Sequence, residues 1–210
     1  MTKAKTSPGK TILVQVKAHC QWKIDSVCKN VSASETYLML TIDSSWKPVA
    51  FKEWAVVCDA IASGEQSVIL RKGGIAEGRS GFQWNHDRFL LFPTRFHQQG
   101  DLVRPTQNGD PRNPDPSEND SMIPFTLFVE IIAAGRLTDW NVICDLECYH
   151  IWRRECIRAR FEWGDQPGIS CAVIRVLKLT CPFILTNREA FGGCRSWINL
   201  PDDELNGKRL

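Results

Sequence analysis

The chain has 210 residues, 43% of them hydrophobic and 24% charged, with a formal charge of +2. That length and balance fit one globular domain with a real core and exclude a disordered or collagen-like chain. The near-neutral charge argues against a dedicated binder of long stretches of phosphate backbone, and no apolar run approaches the roughly eighteen residues of a membrane span.

The opening residues MTKAKTSPGK lead into no apolar stretch of signal-peptide length, and the nine cysteines form no regular framework. A reduced, cytoplasmic chain is the expectation, with most cysteines acting as small core residues. Eight tryptophans are a heavy load. Their indole N–H groups need partners when buried, which favours half-exposed positions at a cleft.

Residues 1–46 read as an N-terminal extension. KTILVQVKAHCQWKI is a candidate strand, and a start at Met39 is the alternative to a native lead-in. A single domain is expected over 47–201. FKEWAVVCDAIASG reads as a helix, because Trp54, Val57, Cys58 and Ile61 recur at steps of three and four and Gly64 stands where a helix ends. QSVILR is a short strand, RKGGIAEGRSG a turn, and FQWNHDRFLLFP a second strand region stopped by Pro93. Such a hairpin sets Arg71 and Lys72 across from residues 85–88.

Residues 104–124 hold Pro, Asn, Asp, Ser and Gly and read as a long polar loop. FTLFVEIIAAGRL resumes as a strand, and NVICDLECYHIWRRECIRARFEW is mostly helical in spacing. GISCAVIRVLKLTCP is a strand stopped by Pro182, FGGCRSWINL an edge strand, and 202–210 a polar tail. Clustered strands with few helices predict an α+β fold built on a mixed, partly barrelled β-sheet.

Six blocks carry a resemblance: FKEWAVVCDAIASG, VILRKGGI, HDRFLLFPTRFHQ, CYHIWRRECIRARF, VIRVLKL and FGGCRSWINL. Over roughly residues 47–201 they are similar to an uncharacterised bacterial family, the domain of unknown function DUF 1802. The resemblance implies a DNA-related or defence setting by association, since such domains are sometimes joined to restriction-endonuclease-like partners. Separately, AIASGEQSVILRKGG resembles the helix–glycine–strand opening of PUA-like barrels, which place a basic strand at a nucleic-acid cleft.

Three constellations bear on chemistry. In the first, Arg71 and Lys72 precede Gly73, Gly74 and Glu77. Glycine-freed N–H groups beside two cations can nest an anion, and a turn with solvated cations is the plainer alternative. Neither the P-loop nor the dinucleotide spacing is present. In the second, His86 and Arg88 share a strand face with Asp87 opposite, and His97 and Gln98 follow Pro93. If the chain is an enzyme, His86 or His97 is the general base and Arg88 with Arg71 the anion clamp; otherwise the histidines are structural. In the third, Cys144, Cys148 and His150 lack a second knuckle for zinc, so no metal and no cofactor is expected. Arg154 and Arg158 form a basic stripe after His150. The Asp/Glu-x-Lys triplet of a restriction nuclease is missing from VILRKGG.

These features predict a nucleic-acid-associated recognition module, within a restriction or defence system, that binds a phosphate or nucleotide at residues 71–81. Arg71, Lys72, Arg88 and the glycines contact phosphate, while Trp84, His86, His97, Gln98 and His150 line the pocket and stack or read a base of DNA or RNA. The alternatives are a metal-independent hydrolase or transferase acting on a phosphorylated substrate, and a protein-interaction scaffold.

Overall fold

The structure is a computed structural model that describes residues 11–16, 36–41, 47–73, 82–95, 99–106 and 121–201. The described residues include eight strands: β1 (Thr11–Val16), β2 (Thr36–Thr41), β3 (Val49–Trp54), β4 (Val68–Arg71), β5 (Arg88–Thr94), β6 (Met122–Leu137), β7 (Ile169–Thr186) and β8 (Trp197–Asn199). Three α-helices accompany them: α1 (Ala55–Ser63), α2 (Trp140–Asp145) and α3 (Arg154–Glu162). The strands form one sheet in the order β2-β1-β7-β6-β5-β3-β8, with β4 on β7. The fold is thus α+β with a mixed sheet and few helices.

Helix α1 is shorter than its spacing predicts. Val57, Cys58, Ala60 and Ile61 are buried, and Gly64 closes the helix at φ 84°, its N–H donating to the Ile61 carbonyl at 3.2 Å. A left-handed residue without a Cβ satisfies that last turn at little cost. Residues Phe51 to Trp54 belong instead to β3, whose alternating side chains are buried on both faces of the sheet. Burial on both faces removes the polar alternation that would mark a strand in the sequence.

β3 and β5 pair in parallel, with Ala50 opposite Leu90 and Trp54 opposite Thr94. Parallel neighbours need a crossover, and α1 and β4 lie within it. The predicted hairpin of β4 and β5 is therefore not formed: β4 pairs antiparallel with β7, Arg71 opposite Ser170, and residues 82–87 are not strand. Its loss has a physical reason: along β7 the apolar run Val68–Leu70 is fully buried in the core that includes the helices.

Two cores flank the sheet. One face packs Val49, Phe51, Phe89 and Leu91 against α1, Ile143 of α2, and Ile157 and Phe161 of α3. The other packs Ala50, Leu90 and Phe92 against Phe125, Phe183, Phe191 and Ile198. Both cores depend on β6 and β7, a long antiparallel ribbon with two register shifts. Phe125 pairs with Phe183 but Leu127 with Lys178, so residues 179–182 bulge opposite a single residue of β6. Pro182 sits within that bulge, and the strand continues through it to Thr186 rather than stopping there. A bulge is where a strand tolerates a residue without an N–H donor. The second shift leaves Ile132 as an extra residue on β6, half exposed.

The segment expected to be mostly helical is broken between α2 and α3. Asp139 caps α2 by accepting from the Asn141 N–H at 2.9 Å. Beyond a 3-10 turn at Glu147–Tyr149, residues 150–153 run extended beside 102–104. Arg104 N–H donates to the Ile151 carbonyl at 2.7 Å and Arg153 N–H to the Leu102 carbonyl at 3.0 Å. Both ends of the loop predicted over 104–124 are therefore structured, Arg104 in this clamp and Met122–Pro124 as the start of β6 paired with β7; residues 107–120 lie outside the described residues, as does the tail at 202–210. In the N-terminal extension, β1 pairs with β2 and with β7 at Leu179 and Lys178. Among the described residues no helix is long and apolar enough to cross a membrane.

Candidate functional site

The site is built outward from β3. Phe51 and Glu53, two residues apart, face the same side of the strand, toward the helical core. Glu53 is buried at 1% exposure. Its Oε1 accepts from the Trp54 N–H at 2.8 Å, and its Oε2 lies 3.6 Å from the Arg71 guanidinium, which comes from the end of β4. Arg71 also donates to the Lys52 carbonyl and lies over the Phe51 ring, 4.7 Å from its centroid. A guanidinium is planar and weakly hydrated, so it suits a place between an aromatic face and a carboxylate. Arg71 thereby spans from β4 to β3, two strands that do not pair with each other.

An aromatic wall continues from Phe51. Trp84 lies 5.6 Å and Trp197 4.8 Å from Phe51, and Phe82 packs edge-on to Trp84 at 4.7 Å. The His86 ring is 5.0 Å from Trp197. Trp84, His86, Trp197 and Arg71 are all half-buried, so this wall meets solvent. The two indoles differ in one respect. Trp197 Nε1 donates to the Gln83 carbonyl at 3.3 Å, whereas Trp84 Nε1 is buried without an acceptor among the described residues, as is Arg71 Nε.

A second cluster stands beyond Glu53. The clamp of residues 102–104 on 151–153 holds Trp152 at 1% exposure, 4.8 Å from Trp54. Helix side chains lean toward the helix N-terminus, so Arg160 reaches back along α3. Its guanidinium lies 3.8 Å from the Trp152 centroid and 5.6 Å from that of Trp54. Burial lowers Arg160 from its usual value; the Cys156 and Glu53 charges oppose this, and the Arg71 charge adds to it. His150, buried at 3%, borders the cluster. Burial first and the Arg104 charge second push His150 down to about 4.

The residues expected to act together are dispersed, for identifiable reasons. Lys72 donates to the carbonyls of Phe161 at 3.1 Å, Gln166 at 3.0 Å and Gly168 at 2.9 Å. An ammonium has three N–H donors, so its geometry is that of a tether at the C-terminal end of α3, where helix carbonyls favour a cation, and not that of a free phosphate grip. Arg88 does not share a face with His86. It has the strand parity of Leu90, on the opposite side from Phe89, and lies 3.0 Å from Glu130, which Arg175 also approaches at 3.5 Å. Arg154 and Arg158 pair with Glu147 and Glu162. Gly73 follows β4 and is half-buried. Gly74, Glu77, His97 and Gln98 lie outside the described residues.

Glu53, Arg160, Trp54 and Trp152 were not marked by sequence reasoning. A signal for Glu53 existed: a lone acid in VAFKEW, if that run is read as a strand, falls on the same face as Phe51. Arg160 gave none, because its importance depends on which aromatic lies under it.

The fold and site define an α+β protein with a mixed sheet and a half-buried wall of tryptophan and arginine side chains on its helical face. By sequence, the chain belongs to the family described as Domain of unknown function (DUF1802), matched over residues 50–209. No curated protein matches it. Among solved structures it is similar to the ASCH protein of Zymomonas mobilis at 16% identity and a TM-score of 0.46, over 76% of this chain and 92% of that one. Two single-residue variants of that protein give 15% identity each. One has a TM-score of 0.47 over 77% of this chain and 93% of that one, the other 0.44 over 77% and 96%.

Proposed function

We propose that this chain is a nucleic-acid recognition module that receives one nucleotide in the recess between Arg71, Trp84 and Trp197. One observation carries the reading. Two buried N–H donors, Arg71 Nε and Trp84 Nε1, flank the Phe51 ring with no acceptor among the described residues. Buried donors are nearly always satisfied, and each exception calls for an explanation such as a ligand acceptor. Aromatic rings beside those donors suit a planar heterocycle bearing carbonyl or ring-nitrogen acceptors.

In this reading the sheet is a partial barrel of PUA-like kind. Its seam lies between β4 and β3, where Arg71 bridges the two strands and the base enters. A recess for one unit also agrees with a formal charge of only +2, which suits a small pocket better than a long groove. Cleavage, in a restriction or defence setting, then belongs to a separate nuclease partner.

The test is a titration of tryptophan fluorescence with short single-stranded and duplex DNA and RNA at low salt. The wild-type chain is expected to bind at least one class. Arg71→Ala should weaken that binding at least tenfold, and Trp84→Phe, which keeps the ring but removes the N–H, several-fold. Absence of binding to every class by the wild type refutes the reading. Retained affinity with lost turnover in His86→Ala would transfer the recess to the hydrolase or transferase class.

A further inference from the structure

Arg160 stands apart from the other arginines of its neighbourhood. Arg104 donates to the carbonyls of Glu147 and His150, Arg153 to the Val103 carbonyl at 3.0 Å, and Arg158 pairs with Glu162. Arg160 lies on Trp152 and near Trp54, and its N–H donors meet no acceptor among the described residues. Stacking fixes the plane of a guanidinium while leaving its edge free, the geometry in which arginine grips an oxyanion with two parallel hydrogen bonds.

The local charge is unbalanced in the same direction. Glu53 pairs with Arg71 at 3.6 Å, and Arg160 stands nearby, 5.6 Å from the ring of the adjoining Trp54, where the charges of both Glu53 and Arg71 act on it. One carboxylate against two arginines leaves an excess of one positive charge. A monoanion placed between the arginines would neutralise it, and a phosphodiester carries that charge.

Resting on the nucleotide reading of the recess, we infer that Arg160 and Arg71 together clamp the phosphodiester next to the bound base, with the Trp54–Trp152 pair as the platform that aims Arg160. The base is held at the Phe51 and Trp84 end and the phosphate beyond Glu53. The recess is therefore selective for a nucleotide within a strand over a free nucleoside.

The experiment compares single-stranded trinucleotides that are identical except for one methylphosphonate linkage, which has no charge. Wild-type chain should bind the charged form about tenfold more tightly than the neutral one. Arg160→Gln should lose that preference, binding both forms alike, with affinity for the neutral form within about twofold of wild type. Its salt dependence should fall by about 0.7 in the log–log slope, the value for one phosphate contact on a single strand. Arg160→Lys keeps the charge without the planar fork and should retain part of the preference. It also carries the test should Arg160→Gln not fold.

Equal binding of the charged and neutral forms by the wild type overturns the clamp and leaves the recess standing. An undiminished preference in Arg160→Gln, or in Arg160→Lys where the first does not fold, overturns the role of Arg160. If the wild type binds no trinucleotide, longer strand or duplex, the recess reading fails and takes the clamp with it.

Discussion

Glu53→Gln tests the logic of the site in the fewest atoms. The amide keeps an oxygen to accept the Trp54 N–H, seen at 2.8 Å, and removes only the charge that faces Arg71 at 3.6 Å. Breaking a fully buried ion pair by deleting one partner costs about 3–5 kcal/mol, because the other charge is left uncompensated. Here Glu53 is 1% exposed, but the Arg71 side chain is 21% exposed and keeps its bond to the Lys52 carbonyl. The expected loss is therefore smaller, about 2–3 kcal/mol. For a domain of this size that corresponds to a fall of about 4–12 °C in Tm. Thermal and urea denaturation measure it, and the urea slope should be unchanged. In an Arg71→Gln background the same substitution should cost at least about 1 kcal/mol less, since the stranded charge is gone. Removing the acid also frees Arg71 for an anion, so strand affinity should rise several-fold while stability falls. A Tm shift below about 2 °C, or strictly additive losses in the double variant, would refute the reasoning.

Three further outcomes follow from the geometry. His150 is buried and pushed down to about 4 by burial and by Arg104, with Arg160 acting the same way and Glu147 opposing. Its unfolded form takes up a proton near 6.5, so stability is full above that pH and falls on acidification toward 4, by about 3 kcal/mol; urea midpoints at pH 7 and 4.5 should show this slope, and His150→Gln should flatten it. Lys72→Met removes three bonds to the carbonyls of Phe161, Gln166 and Gly168 and should cost about 1–2 kcal/mol, with faster proteolysis at residues 163–168; unchanged cleavage there would speak against the tether. Cys58 is buried, and burial raises its thiol well above the usual range, as it raises Cys171 to about 11, whereas Cys148 and Cys194 are exposed. Maleimide labelling with peptide mapping should modify Cys148 and Cys194 in the native chain, and Cys58 and Cys171 only in denaturant.

Local signals were legible where one segment decides its own structure. Gly64 marks the end of α1 because only a residue without a Cβ takes φ 84° cheaply, and QSVILR announces β4 through its β-branched residues. Reading failed where partners are distant. The helical period of Val57, Cys58 and Ile61 extends backward through Trp54 by coincidence, and it is the distant partners β5 and β8 that make 49–54 a strand. The pairing of β4 with β7 joins residues about a hundred positions apart, and no turn chemistry near residue 71 hints at it. The candidate site divided along the same line. Arg71 and Trp84 were recognisable as a cation and a ring near a turn, but the Glu53–Arg71 pair and the Arg160 stack on Trp152 exist only after β3, β4 and α3 have come together. Lys72 misled for the converse reason: beside glycines it resembles a phosphate ligand, and its three carbonyls come from the far end of α3.

The bulge at residues 179–182 also constrains how this chain can change in length. On either side of it, inserting or deleting one residue of β7 would turn every following side chain to the opposite face, exchanging the Phe125–Phe183 core with solvent. Past Leu179, which pairs with β1, residues 180–182 of the bulge lie outside the pairings of β7 with β6 and β1 and can take up or give back a residue without disturbing either register. Ile132, the extra residue on β6, offers the same freedom nearer the other end of the ribbon. Relatives of different length should therefore gain or lose residues of this ribbon at these two places, and designed insertions such as a peptide tag should be tolerated there and rejected a few residues away.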